Sequence, residues 1–466
     1  MTPAAPPASP LDRARTKAYR RLLPILFACY VIAYVDRTNV GLAKFKMQED
    51  MPAFTETVIG FGAGTCFFVG YLLLEIPGTL LVERWSARKW ICRIMLTWGV
   101  IASLTAWVTT PRQFYVVRFC LGLAEAGFFP GVIVYLTHWF PSRDRARALS
   151  LFLIATPIAQ IFSPRISHYL LRMGSTVVTD GVTRTYASLG GLKGWQWMYI
   201  GWGVPAVILG IVVLAFLTDR PREAKWLDPE ERDALEAELA REKAERQAVG
   251  GHMGVLQALG NPKVLLLTIA YFFVVTGNWG FEIFLPSLLR DWYHPSDNLL
   301  AWIVMIPPVG SLVGQLFVGW NSDRTKERRL HTVLPITLGA VGMGLALIPG
   351  QSLASMVILF TVVAMGLKAY LPAFWTLPSL FLTEAAAAGS IGLINSVGNL
   401  GGAVGPALLG IIKDNTGSFL PGVLLLCVSM GVAAVMILRL NLDRPVAQPP
   451  TPPIPEPRPG AEASVP

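Results

Sequence analysis

The sequence carries little charge for its length. Only 15% of its 466 residues are Asp, Glu, Lys or Arg, whereas soluble chains carry about 25%. Hydrophobic residues make up 53% of the chain, and the mean hydropathy is +0.50. These values exclude an ordinary soluble domain and are typical of a membrane protein.

Cysteine and histidine are also scarce, with five residues of each. The cysteines lie in or at the ends of apolar stretches without paired ligand spacing, so neither a disulfide framework nor a zinc site is predicted. They are Cys29, Cys66, Cys92, Cys120 and Cys427. The sequence has no HExxH motif, no Gly-x-Ser-x-Gly elbow and no glycine run with a P-loop lysine. We therefore predict a protein that is not an enzyme and that holds no metal or nucleotide.

Long apolar stretches recur along the chain. About twelve of them approach the roughly 20 residues that a helix needs to cross ~30 Å of hydrocarbon. Their approximate extents are 22–42, 57–80, 90–109, 113–137, 148–171, 196–217, 264–288, 299–320, 332–349, 354–380, 387–412 and 419–440. The sequence therefore predicts an all-α membrane protein with twelve transmembrane helices.

Basic residues cluster on one side of these spans. They occupy the N-terminal tail and the loops near 84–89, 143–147, 219–263 and 324–329. Because cytoplasmic loops are enriched in Lys and Arg, we expect both termini to be cytoplasmic, in a bacterial-type inner membrane. The net charge of +9 reflects this bias. Since the basic residues are dispersed over membrane loops, no nucleic-acid partner is predicted.

Polar segments divide the chain into five parts. We predict a cytoplasmic tail (1–21), an N-terminal six-helix bundle (22–217), a cytoplasmic linker (218–263), a C-terminal six-helix bundle (264–440) and a disordered Pro-rich cytoplasmic tail (441–466). The linker stretch DPEERDALEAELAREKAERQ is typical of a charged surface helix. We interpret it as solvated, with a docking or regulatory role as the alternative.

Four charged residues interrupt the apolar spans. Asp36 and Arg37 lie in the first span, and Arg118 and Glu125 in the fourth. Such residues cost about 3 kcal/mol even on lenient scales and usually mark a substrate or proton pathway. Arg118 and Glu125 are two helical turns apart and share a face. At a rise of ~1.5 Å per residue, Asp36 and Arg118 both lie ~9 Å below the outer ends of their spans. We expect one cavity to contain all four.

The residue types favour an anion and protons as ligands. A guanidinium binds a carboxylate in bidentate geometry and stays charged when desolvated. A carboxylate partly removed from water binds a proton more readily, so Asp36 and Glu125 are candidates for proton coupling. The alternative is that the four residues form two ion pairs that only neutralise each other.

Two loops repeat the same pattern, one in each half. Aligning TLLVERWSARK with GWNSDRTKERR superimposes Glu83 on Asp323, Arg84 on Arg324, and Arg88 on Arg328. A repeat of this kind is typical of transporters built from two bundles related by an axis along the membrane normal. We predict a gating role for these six residues, because the acid and the bases can latch helix ends. A role in topology alone is an equal alternative.

These features resemble the major facilitator superfamily. Further segments resemble its anion:cation symporter branch, over nearly all of residues 20–440: YVDRTNVGLA, RFCLGLAEAGFFPG, WFPSRDRARA, GWQWMY, DRPREAKWLDPEE and INSVGNLGGAVGPALLGIIKDNTG. That branch includes permeases for tartrate, phthalate, hydroxyphenylacetate and sugar acids. The resemblance implies the major facilitator fold, with two pseudo-symmetric six-helix bundles. It also implies a monomer that imports an organic carboxylate with H+ by alternating access.

The resemblance assigns roles to individual residues. It gives proton coupling to Asp36 and Glu125, and substrate binding to Arg37 and Arg118. The further substrate-binding residues that it implies are Tyr34, Tyr71, Gln160, Trp375, Asn395 and Asn399. Inward orientation of these polar groups is also the physical expectation, because lipid would leave their hydrogen bonds unmade. For Tyr71 and Trp375, packing between helices is an equally good explanation.

Spans six, seven and ten depart from the family pattern. Trp202 stands where the family often has an acid, which excludes proton coupling at that position. Lys368 in the tenth span is predicted to bind the substrate, with pairing to Glu282 of the seventh span as the alternative. The face of the seventh span that carries Glu282 and the face of the tenth span that carries Lys368 are both expected to reach the central cavity.

The sequence leaves the choice of substrate open. Trp279, Phe281, Phe284 and Trp375 suit a planar aromatic acid, whereas Gln160, Asn395 and Asn399 suit the hydroxyls of tartrate or a sugar acid. The alternative function is proton-antiport export of small organic compounds. Export of cations would favour a cavity of acids and aromatics without paired arginines, which fits this sequence less well.

Overall fold

The computed structural model describes residues 9–179, 182–248, 260–380 and 384–440, which are almost entirely helical. The helices of the N-terminal half are α1 Pro10–Asp50, α2 Glu56–Gly60, α3 Phe67–Arg84, α4 Ala87–Leu104, α5 Pro111–Glu125, α6 Phe128–Trp139, α7 Ser142–Leu153, α8 Ala155–Leu171 and α9 Gly194–Phe216. A short antiparallel hairpin joins α8 to α9, with β1 Thr176–Thr179 paired to β2 Val182–Thr185.

A linker helix and the C-terminal half follow. The linker helix is α10 Pro229–Ala248. The helices of the C-terminal half are α11 Pro262–Tyr293, α12 Asp297–Ile303, α13 Ile306–Thr325, α14 Arg329–Ala346, α15 Leu353–Ala369, α16 Leu371–Phe374, α17 Glu384–Gly398, α18 Leu400–Thr416 and α19 Leu420–Leu438. The predicted tail 441–466 lies outside the described residues.

Eleven helical stretches within the described residues are long and apolar enough to cross a membrane. They correspond to all the predicted spans except 387–412. That span corresponds to α17 and α18, which Asn399 separates, so neither piece reaches the length of a full span. The predicted fold class is confirmed, and the small hairpin is an addition that the sequence did not predict.

Several spans are built from two helices where the sequence predicted one. In the fourth span, α5 ends at Glu125 and α6 begins at Phe128. Gly127 between them has a φ of +80°, a conformation that glycine adopts without a steric penalty. The Trp90 indole donates to the Gly127 carbonyl at 3.3 Å and packs against the break. Glu125 is therefore presented at a helix end inside the protein, as in the discontinuous helices of other transporters.

The two halves pack closely at the end of the molecule near Asp50, which we name the Asp50 end. A Cβ atom on Gly60 would lie 2.2 Å from the carbonyl oxygen of Pro406, so α2 and α18 touch backbone to backbone. Asp414 accepts hydrogen bonds from the backbone N–H groups of Glu56 at 3.3 Å and Thr57 at 2.7 Å. The C-terminal half thus caps a helix of the N-terminal half and closes this end.

The linker helix α10 lies against α1. Lys17 donates to Glu231 at 2.7 Å and to Asp228 at 3.0 Å, and Arg13 donates to Glu231 at 3.3 Å. Burial alone would raise the pKa of Glu231, but hydrogen bonds from Lys17 and from the Asp228 backbone outweigh it and hold the pKa below its ordinary value. The predicted charged helix is confirmed, but its first turns dock on α1 and are not solvated on all sides.

Candidate functional site

The charged residues of the first and fourth spans meet inside the N-terminal half. Arg37 donates through Nε to Glu125 Oε1 at 2.7 Å, and the Glu125 side chain is fully buried. Asp36 precedes Arg37 in α1, and Arg118 lies two helical turns before Glu125 in α5. The expected grouping is therefore present. Helix α1 continues to Asp50, past the predicted end of the span at 42, and the depth of these residues stays a prediction.

Arg118 is the least satisfied of these residues. It is 1% exposed, and its one hydrogen bond to a described residue goes from Nη2 to the Tyr199 hydroxyl at 3.2 Å. Its Nε atom is buried without a partner, and no carboxylate of the described residues lies within 4.0 Å of its nitrogens. The rings of Phe114 and Tyr199 lie 5.2 and 5.7 Å from the guanidinium carbon. The site therefore holds a cation with several free donors.

Asp36 is equally buried but has a different partner. It is 1% exposed and accepts a hydrogen bond from the Trp98 indole at 3.0 Å. An indole donates only, so it stabilises the ionised carboxylate without adding positive charge. The two predicted acid–arginine pairs are thus unequal: Arg37 and Glu125 are in contact, whereas Asp36 and Arg118 are not within ion-pair distance.

Aromatic rings surround Arg37. Its guanidinium carbon lies 5.3 Å from the ring centre of Tyr71, 5.7 Å from that of Phe67 and 5.9 Å from that of Trp279. Tyr71 and Phe67 belong to α3, whereas Trp279 belongs to α11 of the C-terminal half. The site is therefore formed by both halves, and Tyr71 lies at the arginine as expected.

Tyr34, Glu282 and Lys368 form a hydrogen-bonded triad across the two halves. The Tyr34 hydroxyl donates to Glu282 at 2.6 Å and accepts from Lys368 at 2.9 Å. Lys368 and Glu282 form an ion pair at 2.8 Å. The alternative that Lys368 pairs with Glu282 therefore holds in this conformation. Substrate contact by Lys368 remains a prediction.

Glu75 is a residue that sequence reasoning missed. It lies in α3, is 3% exposed, and accepts a hydrogen bond from Asn395 of α17 at 2.9 Å. The Ser396 hydroxyl lies 3.5 Å from its other oxygen. The signal was present in the sequence, because Glu75 is a single acid within the apolar stretch YLLLEIPGT. Asn395 thus faces the interface between the halves, as expected, but in contact with an acid.

The remaining predicted residues lie around this core. Trp375 packs edge-on against Tyr271, with ring centres 5.1 Å apart, which fits the packing explanation. Asn399 lies at the break between α17 and α18. Gln160 lines a cavity between the halves that Glu282 also lines.

The two repeated loops differ in their contacts. Arg328 pairs with Asp323 at 2.6 Å, within its own loop. Arg88 instead donates to the Leu217 carbonyl at 3.3 Å, and its backbone N–H donates to Asp219 at 2.9 Å. Arg324 lies over the Trp320 ring at 5.4 Å. The side chains of Glu83 and Arg84 lie outside the described part of the structure. A gating role for these loops stays a prediction.

The protein has two helical halves, with buried charged residues inside the N-terminal half and at the contact between the halves. This is the architecture of a multi-span membrane transporter. A family model described as Major Facilitator Superfamily matches residues 26–406 and 267–464. The chain belongs to the major facilitator superfamily, a family of transporters and not of enzymes.

Individual relatives agree with this membership and with the anion:cation symporter branch. A protein of Agrobacterium vitis named "Putative tartrate transporter" is 39% identical, over 93% of each chain. A "Quinolone resistance transporter" of Acinetobacter baumannii is 37% identical, over 94% of this chain and 97% of its own. The inward open xylose transporter XylE from E. coli has a TM-score of 0.68 at 15% identity, over 91% of this chain and 96% of its own. That last likeness concerns the fold alone.

Proposed function

We propose that the protein is a symporter that imports an organic carboxylate together with protons by alternating access. It works as a monomer in a bacterial inner membrane, with both termini in the cytoplasm. In that orientation the closed Asp50 end faces outward. The name of the Agrobacterium relative favours tartrate or a similar acid as the substrate.

The observation that carries the proposal is the state of Arg118. A buried guanidinium without a counter-ion is costly, and partner anions normally offset the cost of such desolvation. Arg118 has no carboxylate of the described residues within 4.0 Å, although Nε and the unused N–H groups remain available. A substrate carboxylate at this position receives charge-assisted hydrogen bonds from the guanidinium. Arg37 is already paired with Glu125, so its role in binding the substrate carboxylate is secondary to that of Arg118.

Proton coupling is supported by the acids around the arginines. Asp36, Glu75, Glu125 and Glu282 lie in or beside the site. An anion that enters among four carboxylates adds negative charge where little water screens it. A proton on Glu125 removes a charge and also frees Arg37 from its partner. Proton binding and anion binding then favour each other.

Proton-antiport export is the second candidate. The name of the Acinetobacter relative favours it, as do Glu75, Glu282 and the aromatic rings of Tyr71 and Trp279 beside the site. Such a cavity suits a compound with a cationic group. Export predicts that an outward-directed organic gradient moves protons inward, and that carboxylic acids without a cationic group are not substrates.

Uptake into proteoliposomes tests the proposal. Labelled tartrate, phthalate, hydroxyphenylacetate and galactonate are offered under an inward proton gradient, with and without an uncoupler. Accumulation of one acid that the uncoupler abolishes is the expected result. Accumulation that the uncoupler leaves unchanged contradicts proton coupling. Absence of uptake of every acid, with proton-linked efflux of a quinolone, favours export.

A further inference from the structure

A cavity between the halves extends from the Tyr34 triad toward the Asp50 end. Residues of α1, α8, α11, α13 and α15 line it, and its walls are largely apolar, with Leu42 on one side and Leu285 on the other. Its polar atoms come from a few residues, among them Asn39, Gln160 and Glu282. Asn39 follows Asp36 by one helical turn on α1, and none of Asp36, Arg37, Arg118 and Glu125 is among the described residues that line the cavity.

Asn39 has an unused donor in this cavity. The residue is 1% exposed, and its Nδ2 atom is buried without a hydrogen-bond partner among the described residues. Leaving such a donor unsatisfied costs about 1–3 kcal/mol. A donor in this state, on a residue that lines a cavity between the halves, would gain a hydrogen bond from a ligand in that cavity.

A chain of two hydrogen bonds fixes the orientation of this carboxamide. The Trp202 indole donates to the Ser167 hydroxyl at 3.1 Å, and that hydroxyl lies 3.2 Å from Asn39 Oδ1. Since an indole only donates, the buried Ser167 must use its own hydrogen elsewhere, and Asn39 Oδ1 is the acceptor within reach. Oδ1 is thereby held toward Ser167, and Nδ2 is left without a hydrogen-bond partner among the described residues. Trp202 thus has a positioning role.

We propose that Asn39 is a specificity-determining residue that donates from Nδ2 to a hydroxyl group of the substrate. The inference rests on the proposed function, because it assumes a substrate whose carboxylate the arginines bind. The substrate class is a hydroxylated carboxylic acid.

The chemistry of the cavity favours a hydroxyl over other acceptors. Gln160 makes no hydrogen bond to the described residues, so its carboxamide is free to accept from a hydroxyl while Asn39 donates to it. A carboxylate at this position can only accept, and it would approach the carboxylate of Glu282. Tyr34 and Lys368 already satisfy Glu282, so Glu282 does not need the substrate as a donor.

Matched ligand pairs test this proposal. Each pair differs by hydroxyl groups: tartrate against succinate, and 4-hydroxyphenylacetate against phenylacetate. Competition for uptake is measured with wild type and with Asn39→Ala. We expect the apparent affinity of Asn39→Ala to fall about 10-fold for the hydroxylated acid, and to change less than about 2-fold for its partner. Trp202→Phe removes only the indole N–H and should give the same pattern at about 3-fold, even if Asn39→Ala fails to fold.

Two further variants distinguish loss of the hydroxyl contact from a general loss of substrate binding. Thr361→Val is the matched control, because the Thr361 hydroxyl already donates to the Val357 carbonyl at 2.7 Å and Thr361 is not among the described residues that line the cavity. It should leave both ligands of a pair unchanged. Arg118→Lys should weaken both ligands equally, since each keeps its carboxylate.

An equal loss for both ligands in Asn39→Ala overturns the role of Asn39, while carboxylate transport stands. Uptake of phthalate alone by wild type also overturns it. If wild type takes up no carboxylate, the proposed function itself fails.

Discussion

The two halves of the molecule share a helical plan but differ in where they keep charge. In the N-terminal half, the buried charged residues are Asp36, Lys44, Glu75, Arg118, Glu125 and Asp144, among the described residues. Among the described residues of the C-terminal half, no charged side chain is buried to that degree. Glu282 and Lys368 there lie less deeply and neutralise each other at 2.8 Å. Symmetric topology therefore does not impose symmetric chemistry.

The difference indicates that the two halves have different roles in binding. The N-terminal half holds charges that are not fully satisfied, which is the condition for binding an ion. The C-terminal half supplies a neutral wall of aromatic and polar groups, such as Trp279 over Arg37 and Asn395 on Glu75. A wall without net charge can move away from the site at lower electrostatic cost than one that carries an unpaired charge.

The largest effect is expected from Arg118. Lysine lacks the planar fork of arginine and cannot make bidentate contact with a carboxylate. We expect Arg118→Lys to lower kcat/KM for uptake by about 100-fold, the loss that follows from breaking a buried ion contact of about 3 kcal/mol. Uptake by the reconstituted variant measures it.

Arg172→Lys is the matched control for this change, because Arg172 also donates to a tyrosine hydroxyl, that of Tyr186, at 3.2 Å but outside the core. It should transport as wild type does. Equal losses in both variants would show that the N-terminal half does not bind through Arg118.

Substitution of Glu125 should affect proton-driven accumulation of the substrate but not its exchange. Glutamine keeps the shape of the side chain but cannot release or bind the proton, so Glu125→Gln should abolish accumulation driven by a proton gradient. Counterflow exchange, which needs no net proton movement, should remain measurable. Labelled-substrate uptake and exchange in the same vesicles test both. Glu49→Gln, an exposed acid on α1 that pairs with Lys46 at 2.7 Å, is the control. Retained accumulation in Glu125→Gln would refute its coupling role.

The pair in the C-terminal half distinguishes a neutral wall from a third binding cation. Lys368→Met leaves Glu282 without its cation, and breaking such a pair destabilises a protein by about 3–5 kcal/mol. We expect uptake to fall about 10-fold and the melting temperature to drop. The double variant Lys368→Met with Glu282→Gln should recover both to within about 3-fold of wild type. Recovery of stability without recovery of uptake would assign Lys368 to substrate binding instead.

Sequence reasoning predicted the class of the fold and several of the buried charged residues of the candidate site. Intramembrane charge is a local signal, so Arg37, Arg118 and Glu125 could be found from their spans alone, and the same rule would have found Glu75. Hydrogen-bond partners could not be found in this way. Tyr34 and Lys368 are 334 residues apart, and their contact depends on how the halves pack. The break at Gly127 was also missed, because a glycine in an apolar run reads equally well as helix packing.

The smallest effect on uptake is expected from a substitution in the linker helix α10. This helix docks on the N-terminal half, so the two halves also differ in their surface contacts. Glu231 of α10 is bound by Arg13 and Lys17 of α1, a helix of the N-terminal half. Because its pKa in the folded protein lies below the ordinary value of about 4.3, this contribution to docking is complete above that pH and is lost as pH falls through the lowered pKa. The distribution of distances between spin labels on exposed Arg20 and Asp233 should therefore stay constant from pH 8 to about 5 and broaden below about 4. Glu231→Gln should broaden it at every pH and change uptake by less than about 2-fold, since contacts of this kind contribute little. A larger loss of uptake would mean that docking of α10 on the N-terminal half takes part in the transport cycle.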